Sequence, residues 1–201
     1  MITIPQSHGN PNIELNNTAL GESVQVAQNY FLAKPEIEVQ INRARREFQG
    51  ERLVAENKSL VDQLNALKTE TISTIQTNID GIVAEIDEKQ KEVSEKNAAL
   101  DPSDISQDYQ FLGLPVTLTK EEINTLYERN SNNSLFVRAL NEYIESKGIE
   151  SYGFLDKPAM RKQAAENAKN SLTHHVSMAD VTGLSIFIKT ALKDIDDALK
   201  D

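Results

Sequence analysis

Residues 51–88 read ERLVAENKSLVDQLNALKTETISTIQTNIDGIVAEIDE, and the spacing of their apolar side chains decides the fold. Ile72, Ile79, Ile86, Val93 and Leu100 recur at intervals of seven, Ile75 and Ile82 fill the intermediate positions, and Lys89 and Lys96 take the next two. Upstream, Leu53, Leu60 and Leu67 also recur every seven, with Asn57 and Leu64 between them. Apolar side chains at this spacing form one stripe along a helix, as in a coiled coil. The two runs join through Leu67, Thr71, Ile75 and Ile79, consecutive steps of four. Such a stutter shifts the heptad phase by one residue and locally unwinds a left-handed supercoil.

Working outward, Pro35 suits a first helical position, Glu36 and Glu38 complement the dipole there, and no proline follows before Pro102. A single helix over 35–100 would be ~100 Å long at ~1.5 Å per residue, which no small globule buries alone. A third stripe, Ile37, Ile41, Ala44 and Phe48, is out of phase with the leucine run across Gly50. Gly50 is therefore the candidate kink or break, with Gly81 a weaker one.

Isoleucine at both seam positions over 72–82 favours three or more helices, because β-branched side chains fit one of the two seam positions of a dimer poorly. The expected self-association seam is Leu53, Leu60, Leu64, Leu67, Ile72, Ile75, Ile79, Ile82 and Ile86, covered by further copies of the chain. Folding back at Gly50 or near Lys68–Thr71 is the alternative. Self-association is favoured because no Pro, Gly-Gly or Asn-Gly turn marks the middle of the run.

The remaining zones are read from punctuation. Residues 1–17, with Pro, Gly and several Asn but no period, read as an extended arm. A short helix over 18–34, capped by Thr18, is expected to stop before Pro35. Residues 101–201 form the expected C-terminal helical domain. Asp101-Pro102 opens a short helix through Gln110, and FLGLPVTL (111–118) reads as a packed apolar connector. Thr119 to Glu122 fits a capping box, and a second helix spans about 134–147 with Gly148 after it. Tyr152 to Phe154 make an aromatic loop, Pro158 opens a third helix, and Ser177 with Asp180 opens a fourth. Tyr109, Phe111, Tyr127, Phe136, Tyr143, Tyr152 and Phe154 cluster here, so the core is expected C-terminal to the rod. The fold class expected is all-α: a long coiled-coil helix, then a small helical domain, with an extended N-terminal arm.

Charge and composition exclude several functions. The 201 residues hold 21 Lys and Arg against 31 Asp and Glu, a formal charge of −10. That excess argues against duplex DNA or an anionic membrane as partner, since both attract positive charge. The chain has no Cys, which removes disulfides, thiolate zinc sites and a cysteine nucleophile. No run is long and apolar enough to span a membrane, and residues 1–11 lack the apolar stretch of a secretory signal. A soluble protein acting inside the cell, or carried in a particle, is expected.

Candidate sites are few. Arg43, Arg45, Arg46 and Arg52 form a basic cluster that could grip phosphate or an acidic partner. Four Glu balance them over 36–52, and Arg43 and Glu47 are spaced for an ion pair, so nucleic acid is disfavoured. His174 and His175 are adjacent and point about 100° apart on a helix, a poor chelating pair. Asp194, Asp196 and Asp197 lack the glycine and spacing of a calcium loop. Nucleotide-binding, hydrolase and zinc-protease motifs are all missing. No catalytic residue, metal or cofactor is expected.

Residues 118–148, LTKEEINTLYERNSNNSLFVRALNEYIESKG, with the acidic rod and polar N-terminal arm, resemble head-morphogenesis proteins of tailed bacteriophages, of the scaffolding or minor capsid-associated kind. The resemblance implies a non-enzymatic homo-oligomer that contacts other virion proteins. Scaffolding proteins end in a basic helix, whereas 178–201 sets Asp180, Asp194, Asp196, Asp197 and Asp201 against Lys189, Lys193 and Lys200. This departure points to a permanent virion component. The alternative is an adaptor or effector whose C-terminal helical domain binds a cellular protein.

Overall fold

The computed structural model describes residues 2–4, 12–98, 107–131, 133–149 and 157–200, with 93–98, 134 and 157 as backbone alone. Among them the fold is all-α, with one two-stranded ribbon. The strands are β1 (Ile2–Ile4) and β2 (Ile13–Leu15); the helices are α1 (Thr18–Glu47), α2 (Gly50–Ala98), α3 (Tyr109–Leu112), α4 (Lys120–Asn130), α5 (Ser134–Ser146), α6 (Lys157–Met178), α7 (Val181–Thr190) and α8 (Leu192–Ala198). Contacts divide the chain into two units: Met1–Ala84 with Arg161–Asp201, and Glu85–Met160. The expected C-terminal domain of 101–201 is thus split, and the long helix contributes to both units.

In the first unit the expected extended arm is a ribbon. β1 and β2 pair antiparallel, with Ile2 opposite Leu15 and Ile4 opposite Ile13. Ile4 and Leu15 are fully buried, and Ile2 lies over Gly21 of α1, where any Cβ would overlap it. Alternating apolar side chains in two short runs gave this ribbon its buried face.

α1 does not stop at Pro35. Asn17, rather than Thr18, caps it by accepting from the Leu20 amide at 2.9 Å, and the helix continues through Pro35 to Glu47. An interior proline costs about 3 kcal/mol. Here Tyr30, Ile37, Ile41 and Ala44 stay on one face across it, and burying such side chains gains roughly 1.5–3 kcal/mol each. The stripe wins. Pro35 itself is exposed, and Lys34 and Glu38 pair across its turn at 2.6 Å.

The chain reverses at Gly50, whose φ of +59° lies in the left-handed region that favours glycine. Ile41, Ala44 and Leu60 then form one cluster with Ile37 and Phe48, and Arg52 stacks on the Phe48 ring at 4.3 Å. α1 and α2 are therefore an antiparallel hairpin. Gly81 makes no break: α2 is continuous through it.

α6 runs antiparallel to α2. Lys68 Nζ donates to the Ser177 carbonyl at 2.6 Å, and Lys169 Nζ pairs with Asp80 at 3.0 Å. Interpolating between these links sets Ile75 level with Leu172 and Ile79 level with Asn170. Leu172, Ala165, Ala168 and Val176 are all fully buried, as are Ile75 and Ile79. α7 and α8 return along α6: the Phe187 ring lies 6.4 Å from that of His175, and Arg161 donates to the Leu199 carbonyl at 3.0 Å.

The second unit has its own core of Leu118, Ile123, Leu126, Tyr127, Phe136, Leu140, Tyr143 and Ile144. α4 begins with the expected capping box: Thr119 N donates to Glu122 at 2.8 Å and Glu122 N to the Thr119 hydroxyl at 3.3 Å. α5 is capped by Asn133, and Gly148 follows it with φ +60°. The Tyr143 hydroxyl accepts from the Leu118 amide at 2.9 Å and donates to the Val116 carbonyl at 3.1 Å, fixing the connector. Only Leu118 of that connector is buried, while Phe111, Leu114 and Val116 are exposed. The aromatic loop of 152–154 and the helix start at Pro102 lie outside the described residues.

Candidate interaction surface

The expected self-association seam divides in two. Ile75, Ile79, Ile82 and Ile86 are buried within a single chain, with Leu60 nearly so. Leu53, Leu64, Leu67 and Ile72 are half-buried. The isoleucine seam is thus no surface for other copies. Sequence favoured other copies as the cover because the run carries no marked turn, and the α1 stripe that packs on Leu60 went uncounted.

What remains open is the outer half of α2. Val54, Val61, Lys68, Ile75 and Ile82 form one row at intervals of seven. Ile75 and Ile82 are 0% and 5% exposed, whereas Val61 and Val54 are 43% and 68% exposed. The row changes character at Lys68, whose ammonium meets the end of α6. Beyond it the buried cluster is built from α1 and α2 alone. Two helices shield only the side chains between them, so the flanking valines stay in water. This outer hairpin, residues 37–67, ends in the arginine cluster. Arg45, Arg46 and Arg52 are exposed; Arg43 is exposed too and paired with Glu47 at 2.7 Å. The four guanidinium groups share the tip of the hairpin, but Arg43 is held by its ion pair and Arg52 by Phe48.

Several ionisable groups elsewhere cap helices or close ion pairs. His175 Nδ1 lies 3.3 Å from Asp180 Oδ2. Asp180 caps α7, and the Gly183 amide holds its carboxyl below the usual range, against partial desolvation and with help from His175. Gly183 is needed there, since a Cβ would overlap both Asp180 and the His175 ring. Among the described residues no three His, Asp or Glu are placed to hold a metal.

Asp196 is a residue that sequence reasoning passed over. It is fully buried, and its carboxylate accepts from Asn16 N at 3.0 Å, Asn17 N at 2.9 Å and Asn16 Nδ2 at 2.9 Å. Burial pushes its pKa up, but the amides of Asn17 and Asn16 outweigh this and hold it below the ordinary value. It staples α8 to the start of α1 across 180 positions of chain. Its place between Leu192, Ile195 and Leu199 on a helix face was the available signal.

In the second unit a depression of about 280 Å³ is lined by Phe111, Leu118, Glu121, Glu122, Thr125, Leu126 and Arg129. Glu122 closes the capping box and Arg129 pairs with Asp108 at 2.9 Å. These groups fix helix ends and make no acid–base pair. Among the described residues no helix is long and apolar enough to cross a membrane.

The described residues thus define an all-α protein whose most conspicuous unassigned surface is a two-helix hairpin. No family model matches the chain, and no curated protein or solved structure does either.

Proposed function

We propose that the chain is a non-enzymatic structural protein that self-associates through the outer end of its α1–α2 hairpin, as a component of a phage particle or of head assembly. One observation carries the self-association: the row Val54, Val61, Lys68, Ile75, Ile82 is covered below Lys68 and bare above it. Exposed apolar side chains that extend a buried row mark a surface where another polypeptide gains by docking. The phage assignment rests on the likeness of 118–148 and the helical, acidic composition. An adaptor role is the second reading, favoured by exposed Phe111, Leu114 and Val116 beside the depression on the smaller unit.

Light scattering on the full chain tests the first reading. The expected mass is a multiple of 22.4 kDa. Val54→Asp with Val61→Asp should return it to a single chain with helical content unchanged. A wild-type chain that stays single at ~100 μM, a level at which even weak specific dimers form, overturns self-association.

A further inference from the structure

Resting on that reading, we infer that the outer hairpin docks on the outer hairpin of a second copy, antiparallel about a two-fold axis, so that Val54 of each copy meets Val61 of the other.

Three features of the hairpin select this occupant. First, the bare row is self-complementary. Val54 and Val61 are identical side chains seven residues apart, and an axis midway between them, level with Asn57 and Lys58, exchanges one for the other. A two-fold interface uses one patch twice and needs this symmetry.

Second, charge sets the direction. At the tip, Arg43, Arg45, Arg46 and Arg52 outnumber Glu47 and Glu51, so it is positive. Nearer the bundle, Glu36, Glu38, Glu56 and Asp62 outnumber Lys34, Lys58 and Lys68. Lys34 is already paired with Glu38, and Lys68 is turned onto the Ser177 carbonyl. Antiparallel docking lays each arginine tip over the acidic stretch of the other copy. Parallel docking sets tip against tip, and like charges across an interface are costly.

Third, the dimensions fit. From Gly50 to Lys68 α2 rises ~27 Å, and two helices abreast are ~20 Å wide. That footprint of ~540 Å², larger when its corrugation is counted, approaches the ~800 Å² per partner of a stable small interface. A lone helix from a foreign protein would fill half the width. A second hairpin completes a four-helix bundle of ordinary geometry.

The absence of cysteine makes the test direct, since an introduced thiol is unique. Full-length Val54→Cys and Val61→Cys proteins are mixed and oxidised gently, and the disulfide-linked products are separated by mass spectrometry. Light scattering accompanies this on the wild type and on Val54→Asp/Val61→Asp, with Val54→Ser/Val61→Ser as the milder pair should the acidic one misfold. The expected result is a two-chain mass, abolished by the paired substitution. The mixed 54–61 disulfide should form at least tenfold faster than 54–54 or 61–61. Predominance of 54–54 and 61–61, or a three-chain mass, overturns the two-fold antiparallel pairing while leaving self-association through the hairpin standing. A wild-type chain that stays single, or a multimer indifferent to both paired substitutions, overturns the pairing and the self-association reading together.

Discussion

The two halves of α2 carry the same heptad habit and meet opposite fates. Below Lys68 the helix lies against α6, and the side chains facing it are isoleucines sunk to near-zero exposure. Above it only α1 is present, the seam leucines other than Leu60 are half-covered, and the flanking row turns to valines that remain in water. The lesson is that a heptad stripe reports that something will cover a helix, and not which polypeptide does so. Along one helix the cover comes from α1 and α6 within the chain and then, outside, is left for a partner.

The sharpest way to break this contrast is to place the same charge in each half. Ile79→Asp buries a carboxylate where Ile79 is wholly inaccessible. An unpaired buried charge costs several kcal/mol, enough to consume much of a domain's stability. The first unit should unfold or lose at least ~15 °C in thermal melting followed by circular dichroism. Val61→Asp, at micromolar concentration, should shift the midpoint by no more than ~2 °C, as for ordinary surface substitutions. Equal losses at both positions would mean that the outer row is as buried as the inner one.

A smaller effect comes from the staple that closes the inner end. Asp196→Asn keeps the shape and removes the charge that three N–H donors of Asn16 and Asn17 address. Hydrogen bonds to a buried charged acceptor are worth roughly 1.5–3 kcal/mol, so a loss of about 2 kcal/mol is expected at pH 7. Because folding depresses the Asp196 pKa, the contribution is intact above the unfolded carboxylate value of ~4 and fades as pH falls through the lower folded value. Wild type and variant should therefore converge below ~pH 4, as read from denaturant midpoints. Amide exchange at Leu53–Leu64 should not respond, since the outer hairpin does not share this staple. A gap that widens on acidification contradicts the depressed pKa.

Much of this architecture was legible, and what was not has physical causes. The all-α class, the break at Gly50, the Thr119 capping box and the start of α7 at Asp180 follow from local chemistry, which sequence displays. Pro35 misled because one local penalty was set against a stripe whose value depends on α2, more than twenty residues away. The ribbon was missed because runs as short as ITI and IEL give too few alternations to count. Asp196 was passed over for another reason: once a calcium loop was set aside it read as one more helix carboxylate, because the donors that use it lie at the opposite end of the chain. On the candidate surface, Arg43, Arg45, Arg46 and Arg52 were found as a group, but Val54 and Val61 were passed over. They fall outside the principal stripe and acquire meaning only once α6 is seen to end at Met178.

The mildest test concerns Asn57, the polar member of the outer seam. Its side-chain oxygen is buried and has no hydrogen-bond donor, although the residue lies between Leu53, Leu60 and Leu64. An unsatisfied buried amide oxygen costs about 1 kcal/mol or more, and a polar residue in a seam earns its place by fixing register. Gly50 and the stacked Arg52–Phe48 pair already fix the register of this hairpin at its turn. Asn57→Leu should therefore strengthen the outer hairpin by about 1 kcal/mol. The readout is amide exchange: slower by about fivefold at residues 53–64, unchanged at 72–82 where α6 already supplies the cover. Faster exchange at 53–64 would instead show that Asn57, and not the turn, holds the two helices in step, and the outer half would then be weaker than its leucines suggest.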